Sequence, residues 1–293
     1  MTHPKPLTKP AVSKPAQPPI SPLGLMFIAI ITTQVGSAFA KALFPQVGPA
    51  GMVLLRVGIA AIALLLLWRP RWTADTQRHW PLLVQFGAAL VMMNFSFYLA
   101  IERLPIGIAV AIEFLGPLGL AAVKSRRWID GCWVMLAAVG IILLTPWGGF
   151  DVDPVGILFA LLAACGWAMY IVLSAKTGQA LPGGQGLAWA MTIGTVILLP
   201  IGIVGAGTSL LNPAIIGMGL GVALLSSVIP YSCELEALRS LPVYVVGILL
   251  SLEPVAAAVT GWLVLGEVLT VRAMVAIVLV AIAAAGVSRP QAS

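Results

Sequence analysis

Charge is scarce in this chain. Lysine, arginine, aspartate and glutamate together make up 9 % of it, while 60 % is hydrophobic; a soluble domain carries roughly 25 % charged residues. So little charge cannot cover one water-soluble core, and lipid is the solvent that accommodates the apolar excess. Histidine is scarcer still. His3 and His79 are the two present, both outside the apolar runs. An intramembrane zinc site or a serine–histidine pair therefore has neither ligand nor base. The three cysteines, Cys132, Cys165 and Cys233, stand apart in apolar segments. Disulfide or metal frameworks need them paired or clustered, so packing is their expected role. The four aspartates fall in loops or at a helix start, which excludes an aspartyl dyad within the membrane. No phosphate-binding glycine–lysine loop is present, so ATP is not expected to drive the protein. The expectation is no enzyme, no metal and no cofactor.

What is present is a series of apolar runs. A spanning helix needs about 20 mostly apolar residues. Such segments fall at 23–43, 49–68, 81–101, 105–123, 128–146, 155–174, 186–205, 214–233, 243–263 and 271–288. Ten spans in this length leave only short connections. The expected fold is an all-α integral membrane protein of ten transmembrane helices. Residues 1–22 hold seven prolines with Lys5, Lys9 and Lys14 and no hydrophobic core. They read as a disordered basic tail on the cytoplasmic side, not a signal peptide.

The net charge of +6 does not point to nucleic acid, because the basic residues sit in short gaps between apolar runs. They set topology instead. With the N-terminus inside, Lys5, Lys9, Lys14, Arg69, Arg71, Arg78, Lys124, Arg126, Arg127, Lys176, Arg239 and Arg289 are cytoplasmic, and Arg103 and Arg272 are outside. Twelve against two predicts both termini in the cytoplasm of an inner membrane of bacterial type. The loop around Asp151 and Asp153 is then outside and carries no cation.

The chain repeats itself. Residues 100–123, AIERLPIGIAVAIEFLGPLGLAAV, align with 237–259, ALRSLPVYVVGILLSLEPVAAAV. Leu104 and Pro105 match Leu241 and Pro242, and Pro117 matches Pro254, all at an offset of 137. Each copy, 23–146 and 155–288, contains five spans. Five is odd, so the second copy enters the membrane from the opposite side. That is the inverted-repeat plan of many secondary transporters, which bind substrate near the midplane. Proline within the equivalent helices 4 and 9 frees a carbonyl and predicts a kink in each.

Two five-helix copies, each with a Leu-Pro opening its fourth helix, together with LEPVAAAVTGWLVLGEVLT at 252–270, resemble the drug/metabolite transporter superfamily and its EamA-type repeats. The resemblance covers nearly the whole chain from residue 23. GSAFAKALFPQVG at 36–48, NFSFYLAIERLPIGIAVAIEFLGPL at 94–118, SSVIPYSCELEALRSLP at 226–242 and SLEPVAAAVTG at 251–261 are most similar to the threonine and homoserine exporter subfamily. IGIAVAIEFLGPL and VIPYSCELEAL are the most telling, because the general repeat lacks a glutamate four residues before the helix-4 proline. The resemblance implies export of small neutral amino acids.

The spans themselves contain Lys41, Arg56, Glu113 and Glu253, each costing roughly 2.5–3.5 kcal/mol at a helix centre. An amino acid is a zwitterion, and leaving water requires a cation for its carboxylate and an anion for its ammonium. Arginine suits the carboxylate because its fork bonds both oxygens. The alternative is that the four pair with one another and only hold helices together. Polar neighbours fit a lined cavity. Gln34, Ser37 and Lys41 share a face of helix 1, and Asn94 and Tyr98 one of helix 3. Trp167 and Tyr170 are three apart on helix 6; Ser227, Tyr231 and Glu234 share a face of helix 8. The expected substrate-binding set is Gln34, Ser37, Lys41, Arg56, Asn94, Tyr98, Glu113, Tyr170, Tyr231 and Glu253, with Glu113 and Glu253 coupling transport to protons. Expected partners are a small amino acid and membrane lipid, with a homodimer as a candidate assembly. The competing reading is an exporter of another metabolite or of a drug cation, which Arg56 and Lys41 disfavour.

Overall fold

The computed structural model describes residues 20–124, 128–144, 153–238, 240–241 and 243–287. Residues 1–19 of the expected tail and the connection at 145–152 lie outside them. Every regular element among the described residues is helical. In chain order these are α1 (Pro22–Trp68), α2 (Ala74–Arg78), α3 (Trp80–Arg103), α4 (Ile106–Glu113), α5 (Leu115–Lys124), α6 (Trp128–Leu144), α7 (Pro154–Ala180) and α8 (Gln185–Ala206). There follow α9 (Pro213–Ala223), α10 (Ile229–Leu238), α11 (Val243–Leu250), α12 (Glu253–Leu265) and α13 (Val271–Val287). A 3-10 turn, Gly207–Leu211, joins α8 to α9, and a π turn, Leu224–Val228, joins α9 to α10.

Five stretches are long and apolar enough to cross a bilayer: Pro22–Trp68, Trp80–Arg103, Pro154–Ala180, Gln185–Leu211 and Pro213–Glu234. Shorter apolar helices accompany them. Large apolar side chains cover the outside of the bundle; Leu66 is 70 % exposed, Met135 65 % and Trp262 62 %. That surface suits hydrocarbon and not water.

Prolines decide where the helices break. The 47 residues of α1 would extend about 70 Å as one rod, more than twice the hydrocarbon core. The helix instead hinges at Gly48 (φ 64°, ψ 168°), between Pro45 and Pro49. A glycine takes that φ without steric cost. The sequence suggested an open connection over 44–48; the structure closes it to one hinge residue. In helix 4 of the sequence, Pro117 cannot donate to the Glu113 carbonyl, and α4 ends at Glu113. In helix 9, Pro254 cannot donate to the Leu250 carbonyl, and α11 ends at Leu250. The two breaks thus fall four residues before their prolines, not at the prolines themselves. In the same way Pro230 leaves the Ser226 carbonyl without its α-helical donor, and the chain passes through the π turn there.

Small residues let helices touch along their backbones. A Cβ on Gly116 would overlap the carbonyl of Ala164, and one on Gly166 would lie 2.6 Å from the Met93 nitrogen. The pairs α3 with α7, α1 with α8, α6 with α13 and α4 with α12 pack in this bundle.

Candidate functional site

Breaks in three helices leave a polar chamber of about 100 Å³ in the middle of the bundle. It is lined by Thr33, Gln34, Ser37, Arg56, Met93, Asn94, Phe97, Val110, Glu113, Trp167, Tyr170, Ser226, Pro230, Tyr231, Glu234 and Glu253. A second cavity of about 330 Å³ shares Tyr170, Tyr231 and Glu234 with it. This vestibule reaches the bundle end that carries Trp68, Gly183 and Gly184. The Tyr170 and Tyr231 rings stack at the junction, 6.5 Å apart and 22° from parallel.

Arg56 is the cation of the chamber, and it is 6 % exposed. Its Nε donates to Ser227 Oγ at 3.0 Å, and its Nη2 donates to the Ser226 carbonyl at 2.8 Å. That carbonyl is the one Pro230 leaves open. Nη1 lies 3.5 Å from the Tyr98 hydroxyl, the far limit of a hydrogen bond. The guanidinium also lies over the Tyr98 ring, 5.5 Å from its centroid. Arg56 is therefore aimed by neutral groups. Among the described residues no ion pair joins it to a carboxylate. Glu113, Glu234 and Glu253 face the same chamber, and among the described residues none of them forms an ion pair.

Of the expected residues, the structure brings Gln34, Ser37, Arg56, Asn94, Glu113, Tyr170, Tyr231 and Glu253 to the chamber wall. Asn94 is tied by its Nδ2 to the Leu90 carbonyl at 2.9 Å. Tyr98 stands behind Arg56 and supports it. Lys41 is elsewhere and does not line the chamber. Its Nζ bonds Glu267 Oε1 at 2.6 Å and the Leu104 carbonyl at 2.7 Å. Glu267 Oε2 accepts from the Ile106 N–H at 2.9 Å. This pairing accounts for Lys41's charge, and it links residues 226 apart in the sequence. Lys41→Met leaves the Glu267 carboxylate without its cation, at a cost of about 1–3 kcal/mol. The unfolding midpoint of detergent-solubilised protein should fall by several degrees, and the Lys41→Met/Glu267→Met double variant should recover part of the loss. An unchanged midpoint in the single variant would show that the pair adds no stability.

Glu234, Ser226 and Glu267 were not in the expected set. Glu234 and Ser227 share a helical face with Tyr231, so the sequence carried a signal for them. Ser226 was hidden because the π turn turns both Ser226 and Ser227 inward. The clue was Pro230, four residues on.

At the same end of the bundle as Lys41, Arg103 Nη1 meets Asp153 Oδ2 at 2.9 Å. Asp153 also caps α7 by accepting from the Val155 N–H at 2.8 Å. The hydrogen bond from Arg103, then that from Val155, hold its carboxyl below the ordinary aspartate range.

The EamA-like transporter family profile matches residues 154–289. The chain is 42 % identical over 252 residues to the threonine/homoserine exporter RhtA of Salmonella typhimurium (strain LT2), covering 85 % of each chain. It is 41 % identical over the same length to the exporter of that name in Escherichia coli (strain K12), again covering 85 % of each. The uncharacterized transporter YwfM of Bacillus subtilis is 24 % identical over 236 residues, 75 % of this chain and 77 % of that one. A crystal structure of a protein 17 % identical superposes with a TM-score of 0.61, covering 91 % of this chain and 96 % of that chain; it speaks for the fold alone. At this identity and coverage, the chain belongs to the EamA-like transporters of the drug/metabolite transporter superfamily, in the subfamily of the threonine/homoserine exporters.

Proposed function

We propose that this protein exports small neutral amino acids, threonine and homoserine among them, from the cytoplasm across an inner membrane of bacterial type in exchange for protons. The observation that carries the reading is the chamber's charge arrangement. One guanidinium aimed by neutral partners, and three carboxylates with no ion pair among the described residues, stand ready for a carboxylate and an ammonium. The 41–42 % identical relatives named as threonine/homoserine exporters support the substrate class. Inside-out vesicles given labelled threonine or homoserine should accumulate label when the lumen is acidic, and lose most of the accumulation when the gradient is collapsed. No accumulation, with the protein confirmed in the membrane, would count against this substrate class. Uptake of an organic cation under the same conditions would favour the competing reading, to which the three carboxylates and the paired tyrosines lend some chemistry.

The architecture behind this function is read as ten spans in two inverted five-helix repeats. The offset of 137 that relates the two sequence segments also carries α4, 106–113, onto α11, 243–250. Gly36 packs on Leu225 and Ser226 in the way Gly166 packs on Met93. Both termini are then cytoplasmic, and the vestibule opens to the cytoplasm. In a cysteine-free background, Glu102→Cys should react with an impermeant reagent on intact cells and Gln77→Cys should not. Both positions are exposed; neighbouring Thr76 is buried, so it does not serve. The reverse labelling pattern would invert the topology.

A further inference from the structure

Three elements lead from the chamber wall to the Lys41–Glu267 pair. On α1, Lys41 stands one turn beyond Ser37, which lines the chamber. On α4, Ile106 stands one turn before Val110, which lines it too. On α12, Gly261 lies about two turns beyond Glu253, another wall residue. Glu267 folds back onto Gly261: its N–H donates to the Gly261 carbonyl at 3.1 Å, and a Cβ on Gly261 would collide with Glu267 Oε2. The pair joins all three elements. Lys41 Nζ holds Glu267 Oε1 and the Leu104 carbonyl. Glu267 Oε2 takes the Ile106 N–H, a first-turn donor that α4 itself leaves unpaired. The Lys41 side chain is 21 % exposed and that of Glu267 13 %, so the pair plugs the bundle and is not a surface contact. Beside it Gly107 packs on Ala258 and closes α4 against α12. α7 runs from Asp153, bonded to Arg103 next to Leu104, towards the Gly183–Gly184 turn at the vestibule. The pair therefore closes the end of the bundle away from the vestibule.

We propose that the Lys41–Glu267 pair is the outer gate of the transporter. It latches α1 and α4, from the first half of the chain, to the segment after α12 in the second. It acts in transport without touching the substrate. While it is closed, the chamber opens only towards the vestibule. Breaking it lets α1 and α4 part from α12 and opens the chamber to the outside. Alternating access requires that the two openings exclude each other. A contact made in one state alone holds that state, so its loss shifts the population towards the other. The assignment of this gate to the outer face rests on the topology proposed above.

The experiment reads access to the chamber, so it needs no substrate. In a cysteine-free background, Thr33→Cys places a half-buried thiol on the chamber wall. A small impermeant thiol reagent applied to intact cells should label it slowly. Adding Lys41→Met should raise that rate by about tenfold. So should Glu267→Gln, which keeps an acceptor for the Ile106 N–H. In inside-out vesicles the same variants should lower the rate. Faster labelling from both sides would mean a loosened bundle and would overturn the proposal. So would an unchanged rate on intact cells. The converse variant is Lys41→Cys/Glu267→Cys, joined by a cleavable bifunctional thiol reagent. Cross-linked, it should lose threonine export yet keep its shift in unfolding midpoint on adding threonine; cleaving the link should restore export. Full export by the cross-linked protein would overturn the gate. If threonine is not moved at all, the amino-acid reading falls and the labelling still decides the gate. Rates that change on exchanged sides, slower on cells and faster in vesicles, would keep the latch and overturn the topology.

Discussion

Arg56→Lys is expected to reduce threonine export by about a hundredfold, the equivalent of roughly 3 kcal/mol. The substitution keeps the charge, so the size of the loss depends on geometry. In the structure Nε and Nη2 are engaged by Ser227 Oγ and the Ser226 carbonyl. Nη1, with its 3.5 Å contact to Tyr98, is the least committed corner. A guanidinium can hold two protein acceptors on one side and still present N–H groups to a carboxylate on another. A lysine ammonium has three donors on a flexible stem. Satisfying Ser227 and the Ser226 carbonyl uses them away from the substrate, and reaching the substrate leaves that carbonyl unpaired. The measurement is kcat/KM for threonine in inside-out vesicles at equal protein density. Counterflow of preloaded threonine should fall in parallel, since binding itself is weakened. Retention of export within a few-fold of the unaltered protein would make Arg56 a helix-packing residue and remove the main support for a carboxylate-bearing substrate.

Glu113→Gln is expected to separate movement from accumulation. Glu113 lines the chamber at the point where α4 ends, beside the donor that Pro117 lacks. No ion pair claims its carboxylate among the described residues. In the proposed exchange, a proton and a substrate ammonium compete for the same oxygens: loading from the cytoplasm would displace the proton, and release to the outside would let a proton return. One proton exchanged per substrate lets one pH unit sustain about tenfold accumulation. Glutamine has the same shape and can still accept from an ammonium, but it does not titrate. In vesicles with an acidic lumen, the variant should therefore equilibrate threonine without concentrating it, while counterflow continues at reduced rate. Accumulation should also stop responding to the imposed gradient. Concentrative uptake with an unchanged response to pH would assign Glu113 a structural part and move the coupling role to Glu253 or Glu234, which share the chamber.

Much of the helical layout was legible because lipid imposes a simple rule. A crossing needs about 20 apolar residues with its backbone paired internally, and among the described residues each apolar segment read from the sequence falls on helix. Helix breaks were legible as to which helix, through Pro117 and Pro254. Their residue-level positions follow from the missing donor at i−4, at Glu113 and Leu250. The chamber wall was legible where residues share a face of an undistorted helix, as with Gln34 and Ser37. It was less legible where the helix is irregular. The π turn at Leu224–Val228 shifts the register, so periodicity pointed to Ser227 and missed Ser226.

Sequence alone thus determined the class of solvent, the placement of apolar segments and the residue types available for a zwitterion. Those are local or additive properties, carried by hydropathy and by prolines acting within one turn. Pairing of the charges was decided only by tertiary structure. Lys41 and Arg56 look alike as cations within spans, yet Lys41 meets Glu267 from 226 residues away, while Arg56 is hydrogen-bonded by neutral groups and, among the described residues, forms no ion pair. Which buried charge is neutralised and which is left for a ligand depends on distances between helices distant in sequence, and no periodicity within a single helix encodes them.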